Sequence, residues 1–560
     1  MKRLNSLLLA AIMVISSLAL PLSAFAIDKI DISGGAINLA SESYVYTGSE
    51  ITPEFTVTVN DGVQDVTLDA DTDYTVTYSE NRVDAGNVTI TVEGTGDYTG
   101  QLQKSFTIAP CSLTNKRIKY KNTVRAYPGI APEYAVYDGS ELLTEGVDYT
   151  VNAEGYDKAG VNAATVTIQG KGNYSGTKVY NPHVYPKKVM GITTKSRTVN
   201  SLELTWDSQE DMGATGYRVY TCDKDGNNIN YYASVSTNSC VVKNRAAGAY
   251  YYFIVRAIAT KDSTTILGDK SDVYLTCAKP ATVTILYVTK SKDKKKLTVK
   301  WDKVGSTGYQ IEYSTDKTFK KGVKTVNISG GSRIGAAINI PANDKVYYAR
   351  IRAYRKYAGV PTVYGNRSTV ISSSFSKLYS TYTTNYVNNA KRTTNLKLAC
   401  KAINGKIVYP GQTFSFNGTV GRRTAEKGYQ EAYVFTGPES HTLGIGGGVC
   451  QVASTMFNAA LLANFKIVER HQHSQRVTYC PLGRDAAIFW GSEDFKFKNN
   501  TNYPIKIKMS CANGQLKCSY YVCYNVSPKK VTLSVSRNGK NFTLRRTVGG
   551  KVNYTAYSNY

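Results

Sequence analysis

The residues with the clearest capacity for chemistry are one cysteine, two histidines and one aspartate between positions 450 and 485. Cys450 follows a glycine-rich run at 444–448 and stands at the start of a helical pattern. A thiol there lies near the positive end of a helix, which lowers its pKa and favours the thiolate. His471 or His473 is a candidate base, and Asp485 is a candidate carboxylate to orient it. The four residues predict a Cys-His-Asp arrangement for nucleophilic acyl transfer.

A helix, a tight turn and a strand must bring these residues together. The apolar periodicity after the glycines predicts a helix over 450–464, and the run 466–470 predicts a strand leading to the histidines. Because side chains alternate along a strand, we expect His471 and His473 on one face. Residues at the turn are either oxyanion donors through their N–H groups or parts of a close-packed turn. These residues are Gly447, Gly448 and Gln451.

Cys450 also has a purely structural interpretation. At helical spacing it shares a face with Ser454, Phe457 and Leu461. A free cysteine on a partly apolar face is commonly a core residue. The corresponding interpretation of Asp485 is a carboxylate that caps or closes a turn.

A metal site is the third interpretation. It rests on His471-x-His473 together with Cys450 or His441, since imidazole and thiolate are zinc ligands. This pattern has low specificity, and His441 is equally explained as an exposed loop residue. We therefore expect no bound metal and no cofactor.

The ten cysteines leave the disulfide pattern open. None has the CxxC spacing of a structural zinc site. Cys222 with Cys240, and Cys511 with Cys518 or Cys523, are candidate bridges. Free buried thiols explain the same residues equally well.

The first residues predict export. Lys2 and Arg3 precede an apolar run at 7–20 and the small-residue site Ala24-Phe25-Ala26, which is the pattern of a secretory signal ending at residue 26. The 560 residues carry 68 Lys and Arg against 42 Asp and Glu, a net charge of +26. Loss of the two basic residues leaves 26 − 2 = +24 on the mature chain. No later run reaches the ~20 apolar residues of a membrane span, so we expect no transmembrane span in the mature chain.

The charge and the compartment together predict the class of partner. A strongly basic surface attracts anionic polymers. Export argues against nucleic acid, so the expected partner is an anionic cell-wall polymer or peptidoglycan. The expected location is secreted, either extracellular or associated with the cell wall.

Two copies of a glycine-rich turn mark the first pair of repeats. Gly94-Thr95-Gly96-Asp97-Tyr98-Thr99-Gly100 recurs as Gly170-Lys171-Gly172-Asn173-Tyr174-Ser175-Gly176. Alternating runs such as Val88-Thr89-Ile90-Thr91-Val92 predict strands with one buried face. These features resemble the immunoglobulin-like repeats of bacterial surface proteins, expected at 27–108 and, in divergent form, at 109–187.

A second pair of repeats has a different signature. Leu202-Glu203-Leu204-Thr205-Trp206 is answered by Leu297-Thr298-Val299-Lys300-Trp301. The pattern resembles fibronectin type III modules, expected at 188–279 and 280–375. The alternation places Trp206 and Trp301 on the apolar face, so we predict core residues rather than exposed sugar-stacking platforms.

The last region, 376–560, carries the most specific motifs. Its ordered blocks include Arg392-Thr393-Thr394-Asn395-Leu396, Gly446-Gly447-Gly448-Val449-Cys450-Gln451-Val452, Glu469-Arg470-His471-Gln472-His473-Ser474 and Gly483-Arg484-Asp485-Ala486. These blocks resemble the VanW family, named for an accessory protein of vancomycin-resistance clusters. The resemblance implies an exported, envelope-associated protein, without implying a known reaction. Alternating runs after residue 531 are expected to extend this domain's sheet.

The sequence therefore predicts a multidomain protein: four immunoglobulin-like or fibronectin type III-like β-sandwiches followed by an α+β domain. The functional hypothesis is a VanW-like envelope protein that binds or remodels the cell wall. One alternative is a cysteine-dependent amide hydrolase or transpeptidase acting on wall peptides through Cys450. The other is a structural or adhesive surface protein.

Overall fold

The computed structural model describes residues 28–79, 81–437, 440–523 and 526–560. It is mostly β-sheet, and the first α-helix among the described residues begins at Ala390. This confirms the expected fold class, with the helices confined to the C-terminal region. The predicted signal segment at 1–26 lies outside the described residues. Within the described ranges, no helix is long and apolar enough to cross a membrane.

The strands between residues 30 and 109 pair with one another in sheets β1-β8, β2-β4-β5 and β3-β9-β7-β6. Their bounds are β1 Ile30–Asp31, β2 Ala36–Leu39, β3 Ser43–Val45, β4 Phe55–Asn60, β5 Asp65–Leu68, β6 Tyr74–Tyr78, β7 Gly86–Gly94, β8 Tyr98–Thr99 and β9 Gln101–Ala109. Val88, Ile90 and Val92 alternate along β7 and are all buried. The alternation in the sequence thus marks the strand face that forms the core.

The next group covers residues 111–180 and forms sheets β10-β16, β11-β12-β13 and β14-β15-β17. Its strands are β10 Cys111–Ser112, β11 Ile118–Val124, β12 Glu133–Asp138, β13 Glu141–Leu142, β14 Tyr149–Glu154, β15 Thr165–Gly170, β16 Tyr174–Ser175 and β17 Thr177–Tyr180.

The repeated glycine turn has the same structure in both groups. The N–H of Gly94 donates to Gly100 O at 3.0 Å, and the N–H of Gly170 donates to Gly176 O at 2.9 Å. A Cβ on Gly94 would lie 2.7 Å from Thr99 N, and one on Gly170 would be equally crowded. Glycine is therefore required at these positions because the returning backbone occupies the side-chain space.

Each of the following two groups forms one three-stranded and one five-stranded sheet. The strands of the third group are β18 Thr193–Arg197, β19 Leu202–Thr205, β20 Gly216–Cys222, β21 Asn230–Val235, β22 Ser239–Val242, β23 Tyr250–Lys261, β24 Thr264–Leu267 and β25 Tyr274–Cys277. Those of the fourth are β26 Ile285–Lys290, β27 Lys296–Trp301, β28 Gly308–Ser314, β29 Lys324–Ser329, β30 Gly335–Asn339, β31 Tyr348–Tyr357, β32 Val360–Tyr364 and β33 Ile371–Ser372.

The two predicted core tryptophans are buried in these groups. Trp206 is 3% exposed and Trp301 is 1% exposed. Each packs against a tyrosine on the next strand, Tyr217 on β20 or Tyr309 on β28, with ring centroids 5.3 Å and 5.1 Å apart. The prediction of core residues is confirmed, since neither indole presents a face for sugar stacking.

The C-terminal domain combines three helices with four small sheets, ordered β34-β42-β41-β35, β36-β40-β39, β37-β38 and β43-β44-β45. Its helices are α1 Ala390–Ile403, α2 Phe416–Val420 and α3 Val449–Leu462. Its strands are β34 Lys377–Asn385, β35 Ile407–Val408, β36 Thr413–Ser415, β37 Glu431–Gly437, β38 Ser440–Ile445, β39 Lys466–Glu469, β40 Lys496–Lys498, β41 Ile505–Ala512, β42 Gln515–Val522, β43 Val531–Asn538, β44 Asn541–Val548 and β45 Lys551–Asn559.

Helix α3 is the centre of this domain. All but two of its residues are buried, and it packs on β34 and β42. Ser380 on β34 donates its hydroxyl to Ala459 O at 2.8 Å, and Thr384 shares a 2.8 Å hydrogen bond with Thr455. These buried polar contacts satisfy hydroxyl groups that apolar packing would leave unpaired. The helix is therefore held in one orientation by the sheet below it.

The strands after residue 531 do not extend the domain's sheet as predicted. They pair only with one another, as β43-β44-β45. Leu544 and Ala556 join the domain core, and Arg546 donates to Phe465 O at 2.8 Å. The alternation predicted the strands correctly, but strand pairing depends on backbone partners that alternation does not specify.

All ten cysteines are free thiols in the structure. The candidate bridge between Cys511 and Cys518 does not form, because Cys511 pairs with Leu516 and Cys518 with Met509 across β41 and β42. Of the two alternatives, the free-thiol interpretation describes the structure.

Candidate active site

Helix α3 begins directly after the glycine-rich turn and carries Cys450 in its first turn. Gly446 and Gly448 have φ angles of 88° and 95°, which other residues rarely adopt. The N–H of Val449 donates to Gly446 O, and that of Gln451 donates to Gly448 O. The N–H of Cys450 has no acceptor among the described residues. This free donor and the helix dipole favour negative charge beside the thiol.

The helix face below Cys450 anchors the segment that carries the candidate aspartate. Ser454 Oγ accepts the N–H of Ala486 at 2.8 Å. Asn458 donates to Arg484 O at 2.8 Å and accepts from Arg484 Nε at 2.7 Å. Cys450, Ser454 and Asn458 follow one another at four-residue spacing, which aligns them on one face. One helix therefore positions both the thiol and the segment opposite it.

The structure brings Cys450, His473 and Asp485 together. Asp485 Oδ2 lies 2.7 Å from His473 Nδ1 and also accepts the His473 N–H at 2.7 Å. The imidazole and the Cys450 thiol interact closely enough to shift each other's pKa. Nδ1 is engaged by the carboxylate, and Tyr479 Oη lies 3.4 Å from Nε2. The sulfur also lies 3.6 Å from Ile488 O.

Asp485 is held in its charged form by a buried set of donors. The residue is fully buried, and Arg470 Nη2 donates to Oδ1 at 2.7 Å. The hydroxyl of Tyr560 donates to the same oxygen. Burial raises the pKa of this carboxyl, but the hydrogen bond from His473, the charge of Arg470 and the bond from Tyr560 lower it to about 2. Asp485 is therefore a permanent anion behind the imidazole.

The thiol and the imidazole favour the ion pair. Burial raises the pKa of Cys450, but the hydrogen bond and charge of His473, together with Arg423, bring it below its ordinary value. Burial lowers the pKa of His473, but the bonds to Asp485 and Cys450 raise it to about 9. Both shifts favour a thiolate beside an imidazolium. Cys450 keeps part of its surface open to solvent.

Two arginines flank the turn that precedes Cys450. A Cβ on Gly446 would lie 2.9 Å from Arg423 Cβ, and one on Gly448 would lie 2.9 Å from Arg392 Cγ. Both guanidinium groups interact electrostatically with Cys450. The glycines therefore serve two purposes, a left-handed backbone and space for two cationic side chains.

An open pocket adjoins the site on the side of Arg423. Its lining includes Asn417, whose Oδ1 accepts from Arg423 Nη1 at 2.6 Å. The lining also includes Trp490, which is 44% exposed, and the neighbouring Phe489 is 67% exposed. This segment follows Ile488, whose carbonyl contacts the sulfur. Exposed aromatic side chains next to the thiol offer a surface for a substrate.

The other predicted histidines lie apart from the group formed by Cys450, His473 and Asp485. The strand that carries the histidine motif ends at Glu469, so regular alternation does not continue to His471 and His473. His471 Nε2 instead lies 3.0 Å from Glu469 Oε1. His441 is exposed on β38 and stacks edge-on against Tyr433. The expectation that both imidazoles share one face is not met.

The predicted turn residues are engaged in packing. The N–H of Gly447 donates to Gly444 O at 3.3 Å, and a Cβ on Gly447 would lie 2.3 Å from Ala432 O. The buried amide of Gln451 accepts from Arg392 and donates to the Thr384 hydroxyl and the Asn385 carbonyl. Gln451 therefore holds Arg392 in place, and at this turn the N–H groups of both Gly448 and Cys450 have no acceptor among the described residues.

Sequence reasoning missed five residues of the site. They are Arg392, Arg423, Arg470, Tyr479 and Tyr560. The first three lie in or next to the motif blocks, which was a usable signal. Tyr479 and Tyr560 carried none, because their contacts arise only from folding.

The histidines do not assemble a metal site with the thiol. Across the described ranges, no group of three or more His, Cys, Asp and Glu side chains is arranged to hold a metal ion. His471 and His473 point to different carboxylates, Glu469 and Asp485. The HxH spacing is therefore explained by two separate hydrogen bonds.

Comparison with known proteins relates the region that contains this site to a protein family. Residues 391–521 match the family model described as VanW like protein. The Bacillus subtilis (strain 168) uncharacterized protein YoaR is 44% identical over 133 residues, which cover 24% of this chain and 44% of that protein. The Enterococcus faecalis vancomycin B-type resistance protein VanW is 27% identical over 169 residues, covering 29% and 56%. The chain spans about half the length of these curated relatives.

Among solved structures, a two-domain fibronectin type III segment of chicken tenascin is similar at 13% identity and a TM-score of 0.22. The similarity covers 33% of this chain and 99% of that segment. The motif resemblance in the C-terminal region is confirmed by the family match and by both curated relatives. Residues 391–521 are therefore a VanW-like domain, and it contains Cys450, His473 and Asp485.

Proposed function

We propose that the VanW-like domain is a cysteine-dependent acyl-transfer enzyme that cleaves or exchanges an amide bond. The observation that carries this proposal is that His473, hydrogen-bonded to the buried carboxylate of Asp485, interacts with the Cys450 thiol and lowers its pKa. The thiol stands at a helix start, is partly exposed and has a lowered pKa. A cysteine with no chemical role needs none of these features.

The first step is attack on the substrate carbonyl. The Cys450 thiolate forms a C–S bond with the carbonyl carbon, and the carbonyl electron pair moves to oxygen. The free N–H of Cys450 is placed to donate to that oxyanion. The C–N bond then breaks, and the His473 imidazolium gives its proton to the departing amine. The products are a thioester on Cys450 and a free amine.

The second step releases the acyl group. Neutral His473 takes a proton from water or from an acceptor amine, which attacks the thioester carbonyl. The C–S bond then breaks, and its electron pair leaves with sulfur to restore the Cys450 thiolate. Water completes a hydrolysis, and an amine completes a transpeptidation. Asp485 stays ionised and stabilises the imidazolium formed in each cycle.

The substrate proposed for this chemistry is a peptide amide of the cell wall. The secretory signal pattern at 1–26 and the +26 charge support an exported, wall-associated protein. The four β-rich groups between residues 30 and 372 would act as a spacer between the catalytic domain and the rest of the envelope. Attachment through charge predicts that salt elutes the protein from purified wall. Retention unchanged at high salt would argue for another mode of attachment.

Thiol reactivity tests the catalytic proposal without knowledge of the substrate. The full chain is treated with iodoacetamide across pH 5–10, and the rate at Cys450 is followed by peptide mapping. Wild type is expected to react at Cys450 well below the ordinary thiol pKa of ~8.5, and His473→Ala is expected to raise that pH dependence. His471→Ala is the matched control, because its imidazole contacts Glu469.

Turnover is then measured as new free amines released from purified peptidoglycan. Wild type is expected to release them, and Cys450→Ala is expected to release none. Equal pH dependence of alkylation in wild type and His473→Ala would sink the proposed pair. A wall-binding protein without catalysis would show salt-sensitive binding and no Cys450-dependent amine.

A further inference from the structure

Among the described residues, Arg392 and Arg423 have no ionic partner. Arg392 donates to Gln451 Oε1, and Arg423 donates to Asn417 Oδ1 and Gly421 O. All of these acceptors are neutral. Within the part of the chain that the structure describes, no carboxylate lies within 4.0 Å of either guanidinium. Both side chains are half-buried beside the thiol.

Some arginines elsewhere in the molecule meet carboxylates, whereas the buried Arg546 bonds to the neutral Asn553 side chain and the Phe465 carbonyl. Arg470 pairs with Asp485 at 2.7 Å in the same domain. Arg350 and Arg367 both pair with Glu312, at 2.5 Å and 2.7 Å. Removing an arginine from water is costly, and pairing offsets that cost. The two arginines at the site carry the cost and leave the position of a counter-ion open.

The thiolate alone does not account for both cations. His473 already supplies one positive charge to it through a hydrogen bond. Burial lowers the pKa of both arginines without discharging them, and the anions that act on them include the Cys450 thiolate and, for Arg423, the more distant Asp494. The adjoining carboxylate Asp494 accepts from the Asn417 N–H, the Ser415 hydroxyl and its own neighbour's N–H. Its oxygens are engaged away from the guanidinium groups.

We propose that Arg392 and Arg423 bind a carboxylate that the substrate carries next to its scissile amide. Guanidinium groups match a carboxylate with paired, charge-assisted hydrogen bonds. In amides built from amino acids, the carboxylate is the anion found one residue from the reacting carbonyl. The substrate class is thus a peptide whose terminal or side-chain carboxylate flanks the bond attacked by Cys450. This inference rests on the proposed function and narrows its substrate.

A pair of alkylating reagents tests the inference directly. Iodoacetate and iodoacetamide transfer nearly the same group to sulfur, but only iodoacetate is anionic. In wild type the rate constant for iodoacetate divided by that for iodoacetamide is expected to be larger at Cys450 than at a surface thiol. Arg423→Gln and Arg392→Gln are each expected to lower the ratio by about tenfold, the effect of one lost charge-assisted bond. Arg423→Lys and Arg392→Lys retain the charge and should keep part of the preference.

The neighbouring exposed cations supply matched controls. Arg422→Gln and Lys391→Gln each remove one exposed charge one residue away from the site. They are expected to leave the ratio within about twofold, since screened surface charge acts weakly. Thermal unfolding of every variant shows whether the fold is retained. If Gln variants unfold, the Lys variants and the wild-type ratio still decide the question.

Competition by peptides gives a second measurement. N-acetyl-diglycine carries a free carboxylate, and its amide does not. The acid is expected to protect Cys450 of wild type from iodoacetamide more strongly than the amide, and the Gln variants should lose that difference. If the arginines only stabilise the thiolate, the Gln variants will react more slowly with both reagents by the same factor. The ratio of the iodoacetate and iodoacetamide rate constants will then be unchanged, which overturns the inference. Loss of iodoacetamide reactivity itself in wild type would instead contradict the proposed function.

Discussion

The β-rich groups and the VanW-like domain use buried charge in different ways. In the fourth group, Glu312 is 7% exposed and accepts from Arg350 and Arg367, and the cluster ends there. In the VanW-like domain, Asp485 accepts from Arg470 in the same manner. Asp485 also contacts the imidazole of His473, which interacts with the thiol of Cys450. An ion pair that contacts no reactive group stabilises the fold. An ion pair whose carboxylate also contacts a histidine beside a nucleophile can support chemistry.

A second difference lies in what remains unpaired. In the fourth group two arginines share one carboxylate within the fold. In the VanW-like domain Arg392 and Arg423 find only neutral acceptors. Under the inference above, positive charges beside a nucleophile that lack a carboxylate partner indicate that the ligand is an anion.

The largest expected effect comes from removing the two buried carboxylates in parallel. Asp485→Asn leaves the buried charge of Arg470 unpaired and is expected to cost about 3–5 kcal/mol of unfolding free energy. Glu312→Gln leaves the more exposed Arg350 and Arg367 unpaired and is expected to cost less. Only Asp485→Asn is expected to raise the apparent pKa of Cys450, because only Asp485 contacts His473. Denaturant unfolding and iodoacetamide rates measure the two effects. Equal thiol reactivity in both variants would break the comparison.

The next effect is the pH window of turnover. Thiolate forms as pH rises through the lowered pKa of Cys450, and the imidazolium that protonates the leaving amine is lost as pH rises through about 9. Turnover is expected to be bell-shaped. Alkylation needs only the thiolate, so its rate should rise to a plateau and show no fall at high pH. A fall in both, or in neither, would contradict the assigned roles.

Acid stability gives a smaller effect. The pKa of Asp485 is lowered from 3.8 to about 2 in the folded state, so its stabilisation is present above pH 3.8 and is lost as pH falls toward 2. This amounts to about 2 kcal/mol for the VanW-like domain. Unfolding free energies at pH 5 and pH 2.5 measure it. Asp485→Asn should lack this contribution, so a wild-type loss no larger than that of the variant would refute the assignment.

The smallest effect is expected from Tyr560. Tyr560→Phe removes one donor to Asp485 Oδ1 and leaves Arg470 and His473 in place. A hydrogen bond to a charged group is worth about 1.5–3 kcal/mol, but Tyr560 acts on the thiol only through Asp485 and His473, so the Cys450 alkylation rate at neutral pH should fall only a few-fold. Tyr557→Phe is the control, because its ring is 73% exposed. No difference between the two variants would show that the Tyr560 hydroxyl does not support the site.

Much of the fold could be predicted from local patterns. The glycine turns, the alternating strands and the two core tryptophans are consequences of backbone sterics and of one apolar face per strand. Helix α1 begins at Ala390, because the side chain of Asn389 accepts from two N–H groups of the first turn. The pairing of β43-β44-β45 escaped prediction because it depends on which edges meet in space.

By itself, the sequence determined that a thiol stands at the start of a buried helix after a glycine-rich turn, with two histidines and an aspartate following it. Those features depend on neighbours within a few residues. Only the tertiary structure decided that His473 rather than His471 meets the thiol, since the strand ends at Glu469 and the direction of each imidazole is then set by Asp485 or Glu469. It also decided that Arg392 and Arg423 flank the same turn. Hydrogen bonds and charge pairs between distant segments have no local period, so they become visible only when the chain is folded.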